Sequence, residues 1–184
     1  MKTQIKKINA GKNIFLAFVF ALAPSFFFGQ SIFDKFDDRD DVTAVIVNKK
    51  MFQLMGNVKM DTKDKESQQY MNLIKKLDNL KVFTTSSART TGDMKATAEK
   101  HIKSAGLDEL MRITDGGKNI KIMVKSGAKD SQIKELLMFI EGSGKGNETV
   151  LMSLTGDFDL DEISVLTDKM KIPGGDALKK ASKN

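Results

Sequence analysis

Four β-strand patterns follow one another in the second half of the chain, and they constrain the fold more than any other feature. "LMRITDGGKNIKIMVKSG" holds two strands around Asp115-Gly116-Gly117, a turn whose glycines tolerate the positive φ that a tight hairpin requires. "QIKELLMFIEG" and "TVLMSLTGD" continue the pattern on either side of the turn "SGKGNE". Because such short connections can only reverse the chain, neighbouring strands must be antiparallel.

Helical spacing dominates the first half of the chain. Val42 to Val47 is a β-branched run that predicts a strand, and apolar residues at helical spacing then continue to a stop at Gly56. The segment Asp64 to Asp78 has one apolar side and predicts an amphipathic helix. A second strand, "LKVFTTSS", begins at Leu80.

Two further helices complete the predicted order. Gly92 and Asp93 introduce the first, and Gly106 ends it as a left-handed stop. The second spans Asp161 to Met170. The order β-α-α-β-α-β-β-β-β-α, with mostly sequential strands, predicts an α+β two-layer sandwich in which helices cover one face of a mostly antiparallel sheet.

Residues 1–29 have the layout of a secretory signal peptide. Four lysines without an acid precede an apolar core from Ile14 to Phe28, which is shorter than the roughly 20 residues of a transmembrane helix. We predict cleavage after Gly29 and export to the periplasm or the medium; the alternative is an uncleaved inner-membrane anchor. Residues 30–41 are then a flexible acidic lead, 42–170 a single domain, and 171–184 a flexible basic tail.

Charge and cysteine content exclude several classes of protein. Of thirty basic residues four lie in the leader, so 26 basic and 24 acidic residues remain, a net charge of +2. The only arginines are Arg39, Arg89 and Arg112, and the lysines alternate with acids, which argues against nucleic-acid binding. The absence of cysteine excludes disulfides, thiolate catalysis, cysteine-ligated zinc and a lipoprotein anchor.

The chain resembles an exported family of Gram-negative bacteria known as domain of unknown function 4252. The resemblance rests on "VTAVIVNKKMFQLMG", "ELMRITDGGKNIKIMVK" and "VLMSLTGDFDLDEISVL", and it covers about Val42 to Met170. Members are often encoded beside extracytoplasmic-function sigma factors, so the resemblance implies an envelope-stress context. It implies no reaction and no site residues.

Asp157, Asp159 and Asp161 stand at alternate positions, as in the first half of a calcium loop. Such a loop needs glycine at position 6 and glutamate at position 12, where this chain has Glu162 and Asp168. The favoured interpretation is a helix start, with Asp159 as the N-cap and Glu162 reaching back as in a capping box.

Other polar and sulfur-containing residues favour structural roles. His101, the only histidine, is predicted to be a solvated or half-buried helix residue, and the alternative is a general base. The Thr84–Ser87 cluster is interpreted as the end of a strand, and Asp37, Asp38, Asp40 and Asp41 as solvated carboxylates. The methionines are predicted to pack the core; outside the leader these include Met51, Met55, Met60, Met71, Met94, Met111, Met123, Met138, Met152 and Met170.

We therefore predict no catalytic, metal-binding or cofactor-binding residues and no cofactor. The favoured function is a non-enzymatic protein-binding or envelope-stress accessory domain, monomeric or weakly dimeric, with an envelope protein as partner. A periplasmic carrier of a lipid or other small ligand is the alternative, and a hydrolase using His101 is a third.

Overall fold

The computed structural model of the chain describes residues 31–57, 65–115, 117–129, 131–142, 148–159 and 162–163. Its strands are β1 Thr43–Asn48, β2 Leu77–Thr85, β3 Asp108–Asp115, β4 Lys118–Ser126, β5 Gln132–Gly142 and β6 Thr149–Asp159. Its α-helices are α1 Lys49–Gly56, α2 Lys65–Lys76 and α3 Ala88–Ala105, and a short 3-10 helix spans Asp34–Phe36.

The six strands form one sheet in the order β1-β2-β6-β5-β4-β3, and every neighbouring pair is antiparallel. The predicted hairpin is confirmed, since Asp115 pairs with Lys118 across a two-residue loop in which Gly117 has φ 81°. The predicted α+β sandwich with an antiparallel sheet is confirmed as well. The meander β3 to β6 and the pair β1–β2 meet where β2 lies beside β6.

Both faces of the sheet carry an apolar cluster. The helices therefore do not all lie on one face, and this differs from the prediction. Phe52 of α1 and Leu73 and Ile74 of α2 pack in the first cluster, together with Met152 of β6. Met94 and Ala98 of α3 pack in the second cluster, together with the next residue back along β6, Leu151. Successive strand residues point to opposite faces, so α1 and α2 cover one face and α3 covers the other.

Helix α3 carries the chain across the sheet. It follows β2, the second strand in the sheet order, and precedes β3 at the far edge, four strand steps or about 19 Å away. Eighteen helical residues span about 27 Å, which is enough for this crossing. The helix begins four residues earlier than predicted, at Ala88, because the Ser87 side chain accepts the Thr90 N–H as an N-cap. Its end at Gly106, with φ 65°, is confirmed.

The boundary between α2 and β2 also differs from the prediction. The helix ends at Lys76 and the strand begins at Leu77, so Leu77 and Asp78 belong to the strand instead of extending the helix, with Asp78 at a register shift between Leu77 and Asn79. Leu77 is opposite Gly156 of β6 and is buried in the first cluster. Leu77 continues the apolar spacing of the helix, so the sequence pattern does not show that the helix has already ended at Lys76.

The acidic segment before β1 packs on the domain through two aromatic side chains, while Asp38, Asp40 and Asp41 are exposed, in line with the solvated carboxylates that the sequence predicts. Phe33 and Phe36 are buried in the second cluster, which also contains Met94 and Ala98 of α3. Asp34 forms an ion pair with Lys81 of β2, and Asp37 lies 3.5 Å from the same ammonium. Only 10% of the Lys81 side chain is exposed, so these carboxylates compensate a largely buried charge.

Several predicted segments lie outside the described residues. They are the leader 1–29, the tail 171–184 and all of the predicted last helix except Glu162 and Ile163, of which Ile163 is buried in the first cluster. Among the helices that the structure describes, none has the length and apolarity needed to cross a membrane.

Two glycines provide a matched test of this packing. A Cβ at Gly156 would lie 2.5 Å from the main-chain oxygen of Lys76, whereas one at Gly92 in α3 would meet nothing within 4 Å. We expect Gly156→Ala to lower the free energy of unfolding by about 1–3 kcal/mol through overpacking. Gly92→Ala should raise it by about 0.5–1 kcal/mol, because alanine favours a helix interior. Urea denaturation measures both, and equal effects would contradict the close approach of β6 to the α2–β2 junction.

Candidate functional site

His101 lies on α3 and contacts the sheet. Its Nε2 is 2.6 Å from Oε1 of Glu135 on β5, and the two side chains are 21% and 13% exposed. The ring of Phe33 packs edge-on against the imidazole, with the ring centroids 5.0 Å apart. The prediction of a half-buried helix residue is confirmed.

The chemistry available to this pair is limited by its neighbours. A hydrolytic triad needs a hydroxyl within hydrogen-bond reach of the imidazole. The hydroxyl of Ser104, one turn further along α3, donates instead to the main-chain carbonyl of His101 at 3.3 Å. The described contacts of the imidazole are therefore a carboxylate and a phenyl ring, which tie α3 and the N-terminal segment to β5.

The alternating acids at the end of β6 are held by lysines. Oδ2 of Asp157 lies 2.8 Å from Nζ of Lys134, and the hydrogen bond from that lysine lowers the pKa of Asp157. Glu162 accepts the main-chain N–H of Asp159 at 3.0 Å, which is the back-reaching half of the predicted capping box. Glu162 also accepts from Nζ of Lys76 at 2.8 Å and raises the pKa of that lysine.

The predicted acidic positions therefore link β6 to its neighbours. Asp157 connects β6 to β5 and Glu162 connects the end of β6 to α2, while Asp161 lies outside the described residues. Within the described ranges, no three His, Cys, Asp or Glu side chains are grouped so that they could hold a metal ion.

The carboxylate of Asp41 lies at the start of α3. The Thr90 hydroxyl donates to it, Arg39 Nε donates at 3.0 Å, and these two contacts lower the pKa of Asp41 to about 2. Arg39 also bridges to Asp93 of α3 at 3.0 Å. The network fastens the N-terminal segment to the first turns of α3.

An open cleft of about 370 Å³ lies beside this network. Two of its lining hydroxyls bond within the chain: Thr85 Oγ1 donates to the Asp41 carbonyl at 2.6 Å and accepts the Ser87 N–H at 3.1 Å, and Ser87 Oγ accepts the Thr90 N–H. Thr84 and Thr85 end β2 as predicted, while Ser87 caps α3.

Most of the methionines pack the core, as predicted. Met55 and Met111 are half-buried against the first cluster, and Met60 and Met170 lie outside the described residues. Met51 on α1 is 50% exposed. The buried methionines are Met71, Met94, Met123, Met138 and Met152.

The strand β1 and the helix α1 that follows it carry an exposed apolar surface. Five large apolar side chains are exposed among the described residues, and four of them lie here: Val45 (50%), Ile46 (45%), Met51 (50%) and Leu54 (54%). We name these four residues the β1–α1 surface. Asn48 joins the two elements, since its side chain accepts the Met51 N–H at 3.0 Å and caps α1.

The two edges of the sheet differ. Edge strands expose unpaired main-chain groups, and proteins usually protect them with charges or bulges. The edge strand β3, "DELMRITD", carries four charged residues and a register shift between Glu109 and Met111. The other edge strand β1, "TAVIVN", has no charged residue and pairs with β2 without a register shift.

The sequence analysis did not identify this surface, although its signal is visible. The stretch "DDVTAVIVNKK" holds an uncharged strand between two acids and two lysines. The apolar run alone does not show whether the strand lies in the centre of a sheet or at its edge.

The Asp41 network makes folding stability depend on pH. Because the pKa of Asp41 in the folded protein, about 2, is below its ordinary value of 3.8, its stabilisation is complete above about pH 4 and is lost as the pH falls through 2. Asp41→Asn should lower the melting temperature at pH 7, and the difference from wild type should close between pH 4 and pH 2. Asp38→Asn, an exposed carboxylate on the same segment, is the control. A difference that persists at pH 2 would contradict the role of the Asp41 charge.

The His101–Glu135 contact should appear as an energetic coupling. A double-mutant cycle of His101→Ala and Glu135→Ala, measured by urea denaturation, should give about 1 kcal/mol because both groups are mostly shielded from water. The control is the more exposed pair Arg112–Glu109, 2.5 Å apart, whose coupling should be smaller. Additive effects of the His101 and Glu135 substitutions would show that the pair does not tie α3 to β5.

Comparison with curated proteins finds no match, and comparison with solved structures finds none. Comparison with protein-family models finds one match, and the matched range contains the strand-helix, hairpin and closing-strand segments described above. The model of the family described as domain of unknown function (DUF4252) matches residues 36–166, most of the chain, and the protein therefore belongs to this family.

Proposed function

We propose that the protein is an exported, non-enzymatic protein-binding domain of the bacterial envelope, and that it binds through the β1–α1 surface. The observation that carries the proposal is the concentration of exposed apolar side chains on β1 and α1. Exposed large apolar side chains that are grouped at one margin of a domain are a feature of protein-interaction sites. Export is supported by the lysine-rich start and apolar core of residues 1–29.

An open edge strand supplies a second element of recognition. The outer main-chain groups of β1 can bond to an added strand, while the side chains of Val45 and Ile46 contact it on the two faces of the sheet. Met51 and Leu54 extend the apolar contact onto α1. The combination suits a protein partner, because main-chain pairing needs a polypeptide.

The alternatives receive less support from the described residues. A carrier requires a largely apolar cavity, whereas the cleft beside Asp41 is lined by carboxylates and hydroxyls. A second cleft, of about 360 Å³, is open and is lined by Lys50, Gln53, Leu54, Asn57 and Lys75, so Leu54 is its one apolar side chain. The hydrolase alternative depends on His101, whose imidazole contacts Glu135 and Phe33.

The proposal predicts that polar substitutions on the surface reduce partner capture. The tagged full chain is crosslinked in its own envelope and purified, and Met51→Ser/Leu54→Ser is compared with wild type. We expect about tenfold less partner, since exposed apolar anchors carry much of an interface's binding energy. The control is Leu110→Ser, which removes the exposed apolar residue of the opposite edge strand (38% exposed).

Equal capture by the two variants would contradict the assignment of the surface. Reproducible recovery of one lipid per chain, with no protein partner, would favour the carrier function instead.

A further inference from the structure

We propose that the occupant of the β1–α1 surface is a second copy of this chain, whose β1 strand pairs antiparallel with β1 of the first to continue the sheet across both copies. The inference rests on the proposed function, because it names the partner of the same surface. Three features of the molecule carry it: the charge order along the strand, the symmetry of strand pairing and the protection of the opposite edge.

The charge order around β1 is complementary to itself only in the antiparallel direction. Asp40 and Asp41 precede the strand, Lys49 and Lys50 follow it, and the seven residues between them are uncharged. Antiparallel pairing places the acids of each copy beside the lysines of the other. Parallel pairing would place acid beside acid and lysine beside lysine, which is repulsive.

Symmetry restricts the register of this pairing. When two copies of the strand pair about a twofold axis perpendicular to the sheet, facing residues point to the same face. Because successive residues alternate between the faces, the two residue numbers in each facing pair must be both odd or both even. Centring the pairing on Val45 satisfies this condition and aligns the charges. Val45 then faces Val45 of the second copy, and Thr43 faces Val47. Asp40, in the turn before the strand, lies at the same end of the pairing as Lys50 of the second copy, in the first turn of α1.

The charged groups at the two ends of β1 are accessible. Asp40 and Lys50 are exposed. The Lys49 side chain is 65% exposed beside Asp78, at 2.7 Å, so its ammonium can be shared with a second carboxylate. Asp41 is bound to Arg39 and Thr90 within its own chain, which leaves Asp40 and Lys50 as the charges that favour the antiparallel direction.

The opposite edge explains why such pairing closes as a dimer. Charges and a register shift protect β3, so only one edge of each copy is suited to strand addition. An interface that uses the same strand on both copies is complete after two chains. Pairing also covers Val45 on one face of the sheet and Ile46 on the other.

Single-cysteine crosslinking tests the register directly, because the chain contains no cysteine. The full chain is expressed, exported and purified from the envelope as Val45→Cys, and oxidised under mild conditions. Residues that face each other across antiparallel strands have Cα atoms about 4.5–5.5 Å apart, within disulfide reach. Val45→Cys should therefore form a covalent dimer.

The matched controls lie on the same strand and on the opposite edge. Thr43→Cys points to the same face as Val45. In this register it faces Val47 of the second copy, and it lies too far from residue 43 of the second copy to form a disulfide. Leu110→Cys tests β3. Dimers that form equally at all three positions, or only at Ala44→Cys or Ile46→Cys, would overturn the proposed register.

Charge reversal tests the ends of the strand by sedimentation equilibrium. Asp40→Lys and Lys50→Asp should each raise the dimer dissociation constant about tenfold, since each contact occurs twice in a twofold dimer, and the double swap should restore it. Dissociation constants unchanged by either single variant would overturn the charge argument.

Failure of this inference can be told apart from failure of the proposed function. A wild-type chain that stays monomeric at about 100 µM, but whose capture of another envelope protein is lost in Met51→Ser/Leu54→Ser, overturns self-pairing and leaves the proposed function standing. A chain that stays monomeric and captures no protein overturns both.

Discussion

The central strand β6 is buried on both of its faces, and the rest of the fold depends on covering both. Val150, Met152 and Leu154 lie on one face and Leu151 on the other, and all four are buried. Removing apolar surface from water contributes about 25 cal/mol per Å². A helix layer on one face alone would leave Leu151 and the apolar residues that pack around it exposed to water. The helix pair α1–α2 supplies one layer. The helix α3, together with the segment before β1 that carries Phe33 and Phe36, supplies the other.

Covering the centre of the sheet also determines what is left at its margins. The strands β1 and β3 are the outermost in the sheet, so each has one unpaired side. Proteins commonly protect such edges, and β3 shows how, through its charges and its register shift. The lack of these features on β1, beside the exposed apolar residues of α1, makes this margin the place where the domain can meet another polypeptide.

Most of the polar residues that suggested chemistry are used to hold the layers together. Glu135 joins β5 to His101 on α3, and Glu162 joins the end of β6 to Lys76 on α2. The Asp41 network fastens the N-terminal segment to α3, and Asp34 compensates the charge of Lys81 under the same segment. Each pair connects elements that are distant in sequence, which is the role expected of ion pairs at the borders of a packed core.

The sequence by itself determined the elements, because hydrophobic period and turn chemistry are local: the four strands of the meander, the Asp115-Gly116-Gly117 hairpin and the stop at Gly106. It also held a signal that both faces of β5 and β6 are buried, since their apolar runs are nearly continuous. Only the tertiary structure decided that α3 lies on the face opposite α1 and α2, and that β1 is an edge. It also decided that Phe33 and Phe36 belong to the core. These outcomes depend on contacts between distant segments, and local patterns do not specify which strand ends beside which.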